Sequence, residues 1–151
     1  MTRIVGLLGL LFVLAACSKE EFVLLPLEEI EATNFIVCHN EQTWTEAQVQ
    51  DELNGEWVLR AVQNPLNGQV TSLVEDSVRI EFFSDQGIRL YEANIVEMEL
   101  SYQLTDNGAT SFVLMTQPTE VRVNGVIYLC DDLLTLVSFN PGGSTFYYQR
   151  D

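Results

Sequence analysis

IVEMELSYQL, residues 95–104, alternates apolar and polar side chains. Val96, Met98, Leu100, Tyr102 and Leu104 fall on one side of an extended chain, and Glu97, Glu99, Ser101 and Gln103 fall on the other. Strict alternation with a period of two is the pattern of a β-strand with one dry face and one wet face. The same alphabet of branched and aromatic residues continues on both sides of it. EWVLRAV (56–62), SVRIEFFS (77–84), IRLYEA (88–93), TSFVLMT (110–116), EVRVNGVIYLC (120–130), LLTLVSF (133–139) and STFYYQR (144–150) each read as a strand. SDQG, TDNG and NPGG punctuate them as tight turns. Asn124-Gly125 reads either as a type I′ hairpin turn or as a bulge, so the strand count is eight or nine. Short strands at this spacing predict an all-β, antiparallel barrel or sandwich. Ahead of them, Thr45 and Gln48 form a capping-box pattern, which predicts a short helix ending at Asn54 and Gly55.

LNGEWVLRAV, with Gly55, Glu56 and Trp57 directly after that helix, resembles the opening Gly-x-Trp strand of lipocalin-like domains. The ending LLTLVSFNPGGSTFYYQR is similar to their last hairpin, with a closing aromatic pair and an arginine. The resemblance covers roughly residues 50–151 and rests on order and spacing. It implies an up-and-down barrel of about eight short strands, with Trp57 closing one end and Arg150 packing across it as a cation-π pair worth about 1 kcal/mol. The alternative makes Trp57 a large core residue and Arg150 a solvated charge. The chain is shorter than a full lipocalin and lacks that family's other signature segments, which argues against a capacious cavity.

A barrel of this size either fills with side chains or encloses one small ligand. The expected inward set is Trp57, Leu59, Ile80, Phe82, Leu90, Met98, Leu100, Tyr102, Phe112, Leu114 and Tyr148. From Ile80 onward these are also the residues that would line a cavity for a small apolar ligand at the barrel mouth. Their bulk favours a filled core.

The front of the chain reads as an address. Ile4 to Ala16 is an apolar run behind the single charge of Arg3, the layout of a secretory signal peptide and too short for the roughly 20 residues of a membrane span. It ends in Leu14-Ala15-Ala16-Cys17, which resembles the lipobox of bacterial lipoproteins. That resemblance implies residues 1–16 as signal peptide, acyl chains such as palmitate on Cys17, residues 17–43 as a lipidated arm, and residues 44–151 as the barrel domain. Several acyl chains at about 0.8 kcal/mol per buried methylene would hold the chain on a membrane. Ser18, Lys19, Glu20 and Glu21 look like the short signal that sends lipoproteins to the outer face of the outer membrane in some Gram-negative bacteria; the alternative is a plain solvated leader. Asp76-Ser77-Val78 resembles a short O-glycosylation signal of the same bacteria.

Composition agrees with that placement. The full chain carries a formal charge of −15, and loss of Arg3 with residues 1–16 makes it −16. Such a surface repels phosphate backbones, so nucleic acid is not expected as a partner. The function expected first is a lipid-anchored envelope protein whose barrel binds a small apolar ligand at its mouth, and the alternative is a surface interaction or envelope-structure protein whose barrel is only a scaffold; the partners are accordingly a membrane through Cys17, a small apolar ligand, or a surface protein or glycan. With Cys17 taken by lipid, Cys38 and Cys130 remain to pair in an oxidising compartment. The rival reading, a metal or catalytic thiol beside His39, is weak, because adjacent residues rarely converge on one atom and the chain has no second histidine. No cofactor, metal or catalysis is expected: Glu97 with Glu99 reads as a wet strand face, and Asp131-Asp132 reads as a turn.

Overall fold

The computed structural model describes residues 34–73, 78–108, 111–139 and 142–151. Cys17, the rest of the leader and most of the arm, together with Asp76 and Ser77, lie outside the described residues. Two short helices come first, α1 (Phe35–His39) and α2 (Glu46–Leu53). Nine strands follow: β1 (Gly55–Gln63), β2 (Val70–Ser72), β3 (Val78–Phe82), β4 (Gly87–Glu92), β5 (Ile95–Asp106), β6 (Phe112–Gln117), β7 (Gly125–Cys130), β8 (Leu133–Val137) and β9 (Thr145–Arg150). Each strand from β3 onward pairs antiparallel with the next, and β9 returns to β1, so eight strands close an up-and-down barrel. The short β2 pairs only with the far end of β1. Closure satisfies the edge hydrogen bonds that an open sheet would leave exposed.

Helix α2 starts where the capping box sets it. Gln48 N–H bonds Thr45 Oγ1, and Gln48 Oε1 accepts from Thr45 N–H at 2.9 Å. Its apolar residues Val49 and Leu53 are fully buried against the barrel core. That core holds ten of the eleven residues of the inward set among its buried members, with Met98 half-buried against it. Ile88, Val123, Ile127, Leu129, Leu134, Leu136 and Phe146 complete it.

The long strand β5 follows the expected alternation from Met98 to Leu104. Val96 departs from it. Leu90 pairs with Met98 but Tyr91 pairs with Val96, so a bulge at Glu97 turns Val96 to the outer face, where it is 46% exposed. A matching shift between Leu59 and Ala61 adjusts β1 against β9. Asn124-Gly125 is not a hairpin turn. Strand β7 begins at Gly125, and the residues before it form a loop in which Asn124 Oδ1 accepts from Thr116 N–H at 2.6 Å. A glycine is needed at 125 because a Cβ there would lie 2.5 Å from the Val137 carbonyl oxygen of β8.

The residues read as an arm are partly built into the fold. Cys38 of α1 is joined to Cys130 at the end of β7, with Cα atoms 5.6 Å apart. Phe35 packs with Cys130 and Leu133, its ring 5.4 Å from that of Tyr147. A helix of five residues has little stability of its own, so the staple and this cluster hold it in place.

Candidate functional site

Three places could carry function: the barrel interior, its two ends, and the outer wall. The interior is occupied. Trp57, Ile80, Leu90, Leu114, Leu134, Leu136 and Tyr148 all have no exposed surface, and Tyr102 and Phe82 meet edge to face at 5.6 Å. The residues expected to line a ligand cavity are therefore packed against one another.

One end is sealed by Trp57 and Arg150. These two are register partners on β1 and β9, and the Arg150 guanidinium lies over the indole at 4.5 Å. The indole Nε1–H donates to Leu53 O at 2.8 Å, which ties the ring to the last turn of α2. Arg150 also donates to the carbonyls of Asn54 and Glu52 and to the Glu52 carboxylate at 2.9 Å. The cation thus closes the carboxyl end of the helix, where the backbone oxygens lack intrahelical partners.

The β6–β7 loop, residues 118–124, crosses the opposite end. Val123 drops into the core, and the Tyr148 hydroxyl donates to Arg122 O at 2.9 Å. Burial pushes the Tyr148 phenol well above its ordinary range, so it stays a donor. Arg122 is the organiser of this cap. Its Nε donates to Glu120 at 2.7 Å and its Nη2 to Glu97 at 3.1 Å, with Glu92 at 4.0 Å. The bulge at Glu97 aims that carboxylate at the loop. The side-chain hydrogen bond from Arg122 holds the Glu120 carboxyl below the usual range, and the bond to Glu120 raises the Arg122 guanidinium further.

Between these ends, His39 is a wedge in the wall. Strands β6 and β7 pair over Phe112↔Ile127, Val113↔Val126 and Leu114↔Gly125, which among the described residues leaves the rest of β7 without a strand on that side. His39 is fully buried there, and its Nδ1 accepts from Leu129 N–H at 3.0 Å. The same nitrogen lies 3.3 Å from Leu129 O. Trp44 stacks on the imidazole at 5.3 Å and donates to the His39 carbonyl at 2.8 Å, while Tyr128 meets the ring edge-on. Sequence gave no sign of this role, because the partner lies 90 residues away.

The groupings weighed as catalytic or metal-binding are otherwise engaged. Glu99 pairs with Arg89 at 3.2 Å, and Glu97 with Arg122. Asp131 and Asp132 form the two-residue turn between β7 and β8. Among the described residues, Cys38, Cys130 and Asp131 have metal-ligand spacing, but both sulfurs are spent in the disulfide.

The outer wall carries an ion ladder and a groove. Glu56–Arg79, Glu81–Arg89 and Arg89–Glu99 run across β1, β3, β4 and β5, and Arg79 covers the Tyr91 ring at 5.0 Å. The groove, of about 480 Å³, reaches from the β3–β4 turn across β5 and β6 to the β6–β7 loop and Phe139. It has no counterpart in the sequence reading, because its residues come from five separate segments.

Comparison of the chain with protein-family models, with curated proteins and with solved structures finds no match.

Proposed function

We propose that this chain is a lipid-anchored outer-membrane protein displayed at the cell surface, whose lipocalin-like barrel is a scaffold that acts through its outer wall. The observation that carries this reading is the filled interior with a cap at each end. Bulky side chains occupy the axis, with Trp57 and Arg150 at one end and Val123 and the Arg122 cluster at the other. A small apolar ligand inside the barrel would have to displace core side chains at a cost of about 1–3 kcal/mol or more. The staple between Cys38 and Cys130 fits an exported protein, since disulfides persist in oxidising compartments. The lipobox at Leu14 to Cys17 and the lysine-acid signal behind it support anchoring and surface display.

The test is fractionation of cells making either the wild-type chain or Cys17→Ser. Wild type should sediment with the outer membrane and be cut by protease added to intact cells, whereas the variant should leave the membrane fraction. Equal recovery of both in the soluble cell interior would refute the reading.

A further inference from the structure

The groove on the outer wall is chemically distinct from the rest of the surface. Gln86, Gln103 and Gln117 bring side-chain amides to it and Ser101 and Thr119 bring hydroxyls, while Thr116 and Asn124 lie beneath them with their side-chain oxygens already accepting from Glu120 N–H and Thr116 N–H. Amides and hydroxyls both donate and accept, so the wall offers paired hydrogen-bonding edges. Phe139 and Met115 add apolar surface, 52% and 43% exposed. Among the described residues, no arginine or lysine lines the groove, and Asp85 is its one charged residue.

From this lining we infer that the groove is a binding site for a neutral oligosaccharide. The inference rests on the outer-wall reading above and names its ligand class. Sugar hydroxyls act as donor and acceptor at once, which matches amides and hydroxyls. The C–H face of a pyranose ring is apolar and packs on an exposed aromatic such as Phe139. An acidic glycan or phosphate would meet Asp85 and a net charge of −15, with no cation among the described residues of the lining. A fatty chain would strip water from the amides and leave them unpaired. The volume lies in the range of small-ligand sites and suits a short run of sugar units.

Calorimetry of the full detergent-released chain against neutral hexasaccharides of glucose, xylose and mannose tests this. Hexagalacturonate and a Gly-Ser hexapeptide serve as the acidic and peptide comparisons. At least one neutral hexasaccharide should bind saturably, and Phe139→Ala and Gln103→Ala should each weaken it by about fivefold to tenfold. Gln103 is exposed on the wet face of β5, so the thermal midpoint of Gln103→Ala should stay at that of wild type and report that the fold is intact. Binding by no neutral hexasaccharide, tighter binding of the acidic or peptide probe, or wild-type affinity in both variants would overturn the site. None of those results would alter Cys17-dependent fractionation, so the two readings fail separately.

Discussion

Single residues carry the contacts that no local pattern announces. Gly125 is the sharpest case, since a methyl group there would press on the Val137 carbonyl in the neighbouring strand. Gly125→Ala should destabilise the chain by about 3 kcal/mol in denaturant unfolding, and a change within a few tenths would contradict the close approach. His39 is the second. Replacement by alanine removes both the acceptor for Leu129 N–H and the ring between Trp44 and Tyr128. His39→Ala should cost about 3 kcal/mol, and unchanged stability would remove the wedge role. Sequence could place His39 next to Cys38 but not opposite the unpaired half of β7, because that neighbour is set by where β6 begins. Trp57 and Arg150 were easier to read, since both sit at the ends of strands whose order the resemblance supplied.

At the scale of elements, the strands were legible wherever one face is dry and the other wet. The alternation of β5 is written in residues 98–104 because a filled core lies on one side and solvent on the other. Residues 120–124 misled for the opposite reason. Their branched alphabet reads as strand, but Val123 is buried as part of a cap and Glu120 and Arg122 face each other in a loop, so tertiary contacts override propensity. The bulge at Glu97 was invisible because it depends on the register of β4 against β5. The Arg122 cap predicts a pH response. Glu120 has its carboxyl lowered in the folded state, so its contribution is present above the unfolded carboxylate range and is lost as pH falls through the folded value. Thermal stability should therefore drop on acidification from roughly pH 5 toward 3, and Glu120→Gln should flatten that slope. An unchanged slope in the variant would contradict the clamp. The β4–β5 turn offers a gain instead. Ala93 and Asn94 both hold positive φ, at 49° and 64°, and alanine is poorly suited to that region. Converting Ala93-Asn94 to Asn-Gly should stabilise the hairpin by about 0.5–1 kcal/mol, read as a higher thermal midpoint; a lower midpoint would count against this turn geometry.

The whole molecule is a closed wall around a packed axis, with an outer staple fixing α1 to it. The disulfide spans 92 residues, and on the chain-entropy model it contributes about 4 kcal/mol. Replacing Cys38 and Cys130 together by serine should lower the denaturant midpoint accordingly while the barrel's far-ultraviolet signature persists, and an unmoved midpoint would show that the staple does not constrain the chain. The all-β antiparallel class was readable from strand alphabet and turn spacing, which left barrel and sandwich both open; the resemblance of residues 50–151 to lipocalin-like domains pointed to the barrel. The groove was not readable, because its polar residues look like ordinary solvated positions until closure brings five segments together. As proposed, a full barrel works from its outside while acyl chains on Cys17 hold it on a membrane. Native mass spectrometry of the detergent-released chain tests this most directly. The expected species is a polypeptide beginning at Cys17, heavier by covalent acyl groups, lighter by two hydrogens for the Cys38–Cys130 bond, and free of any apolar molecule that mild activation can detach. A stoichiometric lipid that leaves without breaking a covalent bond, or a full-length chain with three free thiols, would contradict it.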